Sequence, residues 1–330
     1  MELKTPCIII NRQRLASKVD EFHNIGTIYY PVKANAFPEI LKTLYNMGAS
    51  FNVSATYYLD KLLELNVDTS RILWDNCFSS KNQLDYAINK QVTLFTVDSE
   101  EMLNYIETKC PNAKFLIKIS NNKIGGNNYR FGSEHPEKLI TLMKKEQLSG
   151  ISFHLGRSLF NASNFKKMVE FVRNLGKFKM LNIGGGYDNL FENDEIVDYL
   201  LYQKKEGWFE NLVFEPGRSL LNPVCNMFSQ VIAVKEHYSQ KWAKLDASIY
   251  SGLMDTYIEQ KTYVICDSSK EKTLYYVSGY TSDSADFLGL HQLSANLKPG
   301  DIVKICGCGA YSFDMSCNYS GAKKLDIRME

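Results

Sequence analysis

The chain has 330 residues, enough for one large core or two domains, and a formal net charge of +1. With so small a charge no long-range field draws in nucleic acid or an anionic membrane, and no apolar stretch approaches the ~20 residues of a spanning helix. The first six residues lack the pattern of a secretory signal, so the eight cysteines read as reduced thiols in a cytoplasmic protein. Cys306 and Cys308 form the one close pair, and no second cluster completes a zinc site.

Taken in chain order, residues 7–11 read as a strand preceding the main pattern. Short β-rich runs then alternate with helical runs. Strands are predicted at 28–33, 50–54, 71–75, 93–97, 114–119, 148–154, 179–183 and 212–215. Between them apolar residues recur at spacings of three and four, as in Ile40, Leu41, Leu44 and Met47, or Leu59, Leu62, Leu63 and Leu65. Asp98 and Ser99 offer a start for the helix carrying Met102, Leu103 and Ile106. Eight strand–helix units over this length predict a closed (β/α)₈ barrel. Beyond Glu215 the rhythm changes. Runs at 224–234, 261–266, 273–277 and 301–306 read as strands without long helices between them, and 297–301 is a turn feeding the last. The expected division is a barrel over 22–230 and a β-rich domain from 1–21 and 231–330, with residues 7–11 joining that sheet.

Functional groups of such a barrel gather at the C-terminal ends of its strands. Lys33 ends the first predicted strand, His154 the sixth, Gly184-Gly185-Gly186 the seventh and Glu215-Pro216-Gly217-Arg218 the eighth. Each has an ordinary reading: a solvated lysine, a core histidine, a turn, a strand stop. Their coincidence on one barrel face favours a single site. A lysine in an apolar-walled pocket can form a Schiff base with an aldehyde. Consecutive glycines let backbone amides approach phosphate oxygens, and an arginine adds a charged grip. An imidazole can lie over a flat ring, and a carboxylate can keep a pyridine nitrogen protonated. Pyridoxal phosphate requires this set.

The motifs resemble the fold-type III decarboxylases, the family containing ornithine, diaminopimelate and biosynthetic arginine decarboxylases. Thr5-Pro6, Tyr30-Pro31-Val32-Lys33-Ala34-Asn35, 96–99, 130–132, Phe153-His154-Leu155-Gly156, Gly184–Gly186, 215–218, 279–286 and Gly309-Ala310-Tyr311 follow in family order. The resemblance implies an alanine racemase-like two-domain architecture with pyridoxal 5′-phosphate on Lys33. It implies that His154 stacks on the ring, that Ser158, Gly184, Gly185, Gly186, Gly217 and Arg218 surround the phosphate, and that Tyr311 contacts the cofactor. Glu215 would pair with the ring nitrogen, which favours decarboxylation over racemisation. Ser282 and Asp283 would reach a partner's active site, making a head-to-tail homodimer with shared sites. No metal is implied.

Several positions depart from the family pattern. Ser282 stands where the family has a proton-donating cysteine, so a relayed water, Tyr280 or Lys33 would supply that proton instead. Arg157 replaces a phosphate-binding serine, with Ser158 next to it, and faces either phosphate or substrate. Asn52 replaces an aspartate, and Tyr58 stands where a glutamate is common. Asp283 would bind a distal substrate ammonium or only cap a loop. The resulting expectation is decarboxylation of a basic or modified amino acid, free or peptide-linked, in a secondary pathway such as microcin C-type tailoring or siderophore synthesis. Alternatives are a polyamine-type ornithine, lysine or arginine decarboxylase, an amino-acid racemase, and a decarboxylase-like regulatory protein without catalysis.

Overall fold

The computed structural model describes residues 4–126, 130–188, 190–321 and 325–330. Contacts divide the chain into two units. One comprises residues 18–33 and 40–219, and the other residues through Ser17, 34–39 and 220–330. The division at 219/220 comes earlier than the expected 230/231, and residues 34–39, directly after Lys33, fall in the second unit.

The chain opens on strand β1 (Cys7–Ile10), which belongs to the second unit. The first unit is a closed barrel of eight parallel strands: β2 (Thr27–Pro31), β3 (Ser50–Val53), β4 (Ile72–Trp74), β5 (Leu94–Val97), β6 (Lys114–Ile119), β7 (Leu148–Phe153), β8 (Phe178–Asn182) and β9 (Phe209–Phe214). Helices separate the strands, and their starts are written in the sequence. Ser99 accepts from the Met102 amide at 3.4 Å, capping the helix expected there. Ser80 and Gln83 form a reciprocal capping box before Lys81–Asn89. Two strand ends differ from expectation. β2 stops at Pro31, which has no N–H to continue the ladder, and Lys33 lies in a short 3-10 turn, Val32–Ala34. Arg71 belongs to a 3-10 turn capped by Asp68 rather than to β4.

Tyr29, Leu73, Leu116 and Val213 pack together in the barrel with Leu94 and Met180 against them, so six strands contribute to one apolar cluster. Side chains two residues apart on a strand share a face. Stepping two residues toward the C-terminal end from Leu73, Leu116, Met180 and Val213 gives Asp75, Lys118, Asn182 and Glu215. The apolar cluster thus carries a polar layer at the end of the barrel where chemistry is placed.

In the second unit, strands β10 (Cys225–His237), β11 (Gln240–Leu245), β12 (Ile265–Cys266), β13 (Lys272–Ser278), β14 (Phe287–Ser294), β15 (Ile302–Cys306) and β16 (Asp326–Met329) join β1 in an eight-stranded sheet. Its main order is β12-β15-β10-β11-β13-β14, with β1 antiparallel to β10 and parallel to β16. Of the expected run 261–266 only Ile265–Cys266 is strand, and β11, β14 and β16 were not anticipated. Buried Asp286 organises the loop before β14. It accepts from the Ile249 amide at 2.9 Å, Ser248 Oγ at 2.9 Å, and the Thr281 hydroxyl at 2.7 Å and amide at 3.1 Å. Among the described residues no helix is long and apolar enough to cross a membrane.

Candidate active site

The barrel's polar layer is a connected network. Lys118 Nζ lies 2.9 and 3.0 Å from the two carboxylate oxygens of Asp75, and both side chains are largely shielded from water. Asn52 Nδ2 donates to Asp75 Oδ2 at 2.9 Å, and Asn182 Nδ2 donates to Glu215 Oε1 at 2.7 Å. Burial raises the proton affinity of the Asp75 carboxyl, but Lys118 outweighs it and holds the group below the usual carboxylate range. Glu215 goes the other way. Burial pushes it up, the Asp75 charge adds to this, and Lys118 with the two asparagine amides only partly offsets them.

The loops beyond β7 and β8 meet at the same end. Gly185 N–H donates to His154 Nδ1 at 3.0 Å. That bond needs a bare Nδ1, so the imidazole is neutral with its proton on Nε2. His154 is solvent-exposed, yet protein packed around its ring makes burial the main influence on its titration. Burial, followed by the charges of Lys118 and Lys33, pushes its pKa down to about 4. A histidine depressed in the fold takes up its proton at higher pH when unfolded. The stability it contributes is therefore complete above its ordinary range near 6.5 and is lost as pH falls toward about 4. The apoprotein is expected to lose urea resistance over this window, and the difference between wild type and His154→Phe should shrink as pH drops. A difference independent of pH would contradict the assignment.

The glycine triplet is used for close approach. A Cβ on Gly185 would meet the Glu215 carbonyl oxygen at 2.5 Å, and one on Gly184 would meet His154 Nδ1 at 2.7 Å. Gly186, at φ +86°, passes so near Gly156 and Arg157 that a Cβ would lie 3.3 Å from the Arg157 amide. Buried Tyr187 locks this loop to β9, donating to Gly184 O at 2.6 Å and accepting from the Glu215 amide at 2.9 Å. Arg157 Nη2 pairs with Asp188 Oδ2 at 2.8 Å, and Ser158 is exposed in the same turn. Gly217 is buried, and Arg218 begins the short helix Arg218–Leu221.

These residues fit pyridoxal phosphate. Backbone amides of two loops lie side by side without Cβ cover, a neutral imidazole stands beside them, a shielded carboxylate projects from β9, and solvent-accessible Lys33 lies close enough to act on His154. A scan against family models matches residues 9–222 to the pyridoxal-binding domain of the pyridoxal-dependent decarboxylases. The chain belongs to this family. It is a pyridoxal-phosphate-dependent carboxy-lyase.

The decarboxylase is 26% identical to lysine/ornithine decarboxylase of Selenomonas ruminantium, over 89% of this chain and 81% of that protein. It is 25% identical to diaminopimelate decarboxylase of Methanocaldococcus jannaschii, over 89% and 76% respectively. Among solved structures, the arginine decarboxylase of Paramecium bursaria Chlorella virus bound to agmatine superposes with a TM-score of 0.87. That match covers 99% of this chain and 96% of the viral one at 22% identity, a likeness of fold.

Ser282, Asp283 and Tyr311 belong to the second unit. Asp283 accepts from Tyr250 Oη at 2.7 Å and from the Ala285 amide at 2.9 Å, the loop-capping geometry that was its ordinary reading. Tyr250 also stacks obliquely on Tyr319, and Tyr280 Oη donates to the Tyr319 carbonyl at 3.4 Å. Tyr311 adopts the left-handed backbone region at φ +57°, and its amide bonds Ala34 O. In the same unit Asn35 Nδ2 donates to Gly309 O at 2.8 Å. Asp75, Lys118 and Asn182 were not singled out from sequence. Their signal was available: a polar residue two positions beyond an inward apolar one, at the end of a barrel strand.

Proposed function

We propose that this decarboxylase removes the α-carboxylate of a basic or modified amino acid, in a cytoplasmic secondary pathway. The observation that supports the basic class is the similarity, over most of both chains, to enzymes named for lysine, ornithine and diaminopimelate. When bound, the cofactor supplies an aldehyde for the substrate amine and a ring that accepts the electrons released with CO₂. Lys33 would be the amine that holds the cofactor. His154, kept neutral and oriented by the Gly185 amide, would pack against the ring, while Gly184–Gly186, Gly217, Ser158 and Arg218 would hold the phosphate. Glu215 holds a proton at the ring nitrogen, which favours decarboxylation over racemisation.

Ser282 replaces the family's thiol donor, and a hydroxyl is the weaker acid, so its part is to order a water that returns the proton. Asp283 would receive a distal ammonium on the substrate. Both act in this reading from a second copy of the chain, in a head-to-tail homodimer. Ser282 and Asp283, with Trp242, Lys244 and Phe287, line a cavity of about 460 Å³. The deciding experiment measures CO₂ release from ornithine, lysine, arginine, diaminopimelate and aminocarboxypropyl conjugates. Turnover of a conjugate well above the free amino acids is expected. Fastest turnover of free ornithine or lysine would return the enzyme to polyamine-type metabolism.

A further inference from the structure

The Asp75–Lys118 pair is a shielded ion pair that the proposed chemistry leaves unused. Its carboxylate is engaged on both oxygens, by Lys118 at 2.9 and 3.0 Å and by Asn52 at 2.9 Å. Glu215 lies in the same polar layer, where Asn182 Nδ2 donates to it at 2.7 Å, and the charge of Asp75 reaches it there. Strand geometry fixes this arrangement. Asn52 is registered opposite Leu73 of β4, and the Asp75 amide donates to Val53 O at 2.8 Å, which ties the end of β4 to the end of β3.

We propose that Asp75 is a positioning residue for the Glu215 carboxylate: its charge, clamped in the shared polar layer by Lys118 and Asn52, keeps a proton at the Glu215 end of the barrel. A fixed negative charge behind Asn52 favours protonation of Glu215 and of any base placed against it, and the adjacent ammonium limits that effect. Other groups around the network are His154 from the end of β7, which feels Lys118, Lys33 and Asp75. Tyr187 contacts the Glu215 backbone, and Cys77 and Asp98 lie beside Lys118. Burial pushes the Cys77 thiol and the Tyr187 phenol well up, and neighbouring carboxylates (Asp98 and Asp75 for Cys77, Glu215 for Tyr187) push them the same way, so both are neutral bystanders.

The inference rests on the proposed role of Glu215 at the ring nitrogen, and its test separates the two. Carbon-13 NMR of the apoprotein reads the titration of the Glu215 carboxyl, assigned by its disappearance in Glu215→Gln. Asp75→Asn leaves Lys118 uncompensated and should lower the midpoint by about one unit or more, whereas Lys118→Met should raise it. The transposed variant Asn52→Asp/Asp75→Asn keeps the charges and should stay nearer wild type than Asn52→Asp alone. That comparison remains decisive if Lys118→Met fails to fold. Opposite shifts, reproduced in the alkaline limb of kcat after loading with pyridoxal phosphate, establish the coupling. Shifts in the apoprotein with an unmoved kcat limb uphold the coupling and reject the ring role of Glu215. Folded variants whose Glu215 midpoint does not move, or moves the same way for both charges, overturn the proposal.

Discussion

Lys33→Ala is expected to abolish covalent cofactor retention and to reduce decarboxylation by about 10³-fold or more, because the side chain is proposed to be the one that holds the cofactor covalently. Wild-type protein incubated with pyridoxal phosphate should turn yellow, and borohydride should fix the cofactor's mass on the peptide containing Lys33. The variant should bind the cofactor reversibly at best and yield no modified peptide. The placement of Lys33 gives the prediction its force: Pro31 ends β2, and the turn Val32–Ala34 leaves the lysine exposed and close enough for its charge to act on His154. A labelled peptide from any other lysine would displace the site.

Glu215→Gln should lower kcat by about 10²–10³-fold with a small change in KM, since the carboxylate acts on charge that develops as the C–CO₂ bond breaks. The same substitution should make the apoprotein more stable at alkaline pH. A carboxyl raised by burial and by Asp75 holds its proton longer in the fold than in the unfolded chain. Its ionisation therefore costs stability as pH rises from the ordinary carboxylate range through its folded value. Glutamine keeps the shape and an acceptor for the Asn182 amide while removing that cost. Urea unfolding at pH 5 and pH 8 checks the point, and wild type should lose stability relative to the variant over that interval. Activity and apoprotein stability thus oppose each other at this residue. Equal kcat in the two proteins would remove Glu215 from the chemistry.

The barrel was legible because it repeats. Eight apolar runs with helical spacing between them make the same statement eight times, and Ser99 marks one helix start as expected. Lys33, His154, the glycine triplet and Glu215 stood out in the sequence because each is an unusual residue at a predicted strand end. The sheet of the second unit was harder to read. β14 (Phe287–Ser294) alternates buried and exposed residues but contains Gly289 and His291, and β16 pairs with β1, far away in sequence. Such pairing is set by tertiary contacts that no local pattern announces. Asp75 and Lys118 were overlooked for a different reason. Singly, each looks like a solvated charge at a strand end, and only the strand register shows that Leu73 and Leu116 aim them inward together.

The short stretch that follows Lys33 has a practical outcome for dissecting the molecule. Residues 34–39 belong with the C-terminal sheet, where Asn35 bonds Gly309 and the Ala36 amide donates to Asp314 Oδ2 at 2.7 Å, whereas the polypeptide on either side of them runs through the barrel. A barrel expressed alone by truncation near residue 219 would keep this hexapeptide and the leading strand with their acceptors and donors deleted. Neither half can be excised as one uninterrupted piece. Co-expressed fragments or a circular permutant, rather than a simple truncation, are the routes to either half by itself.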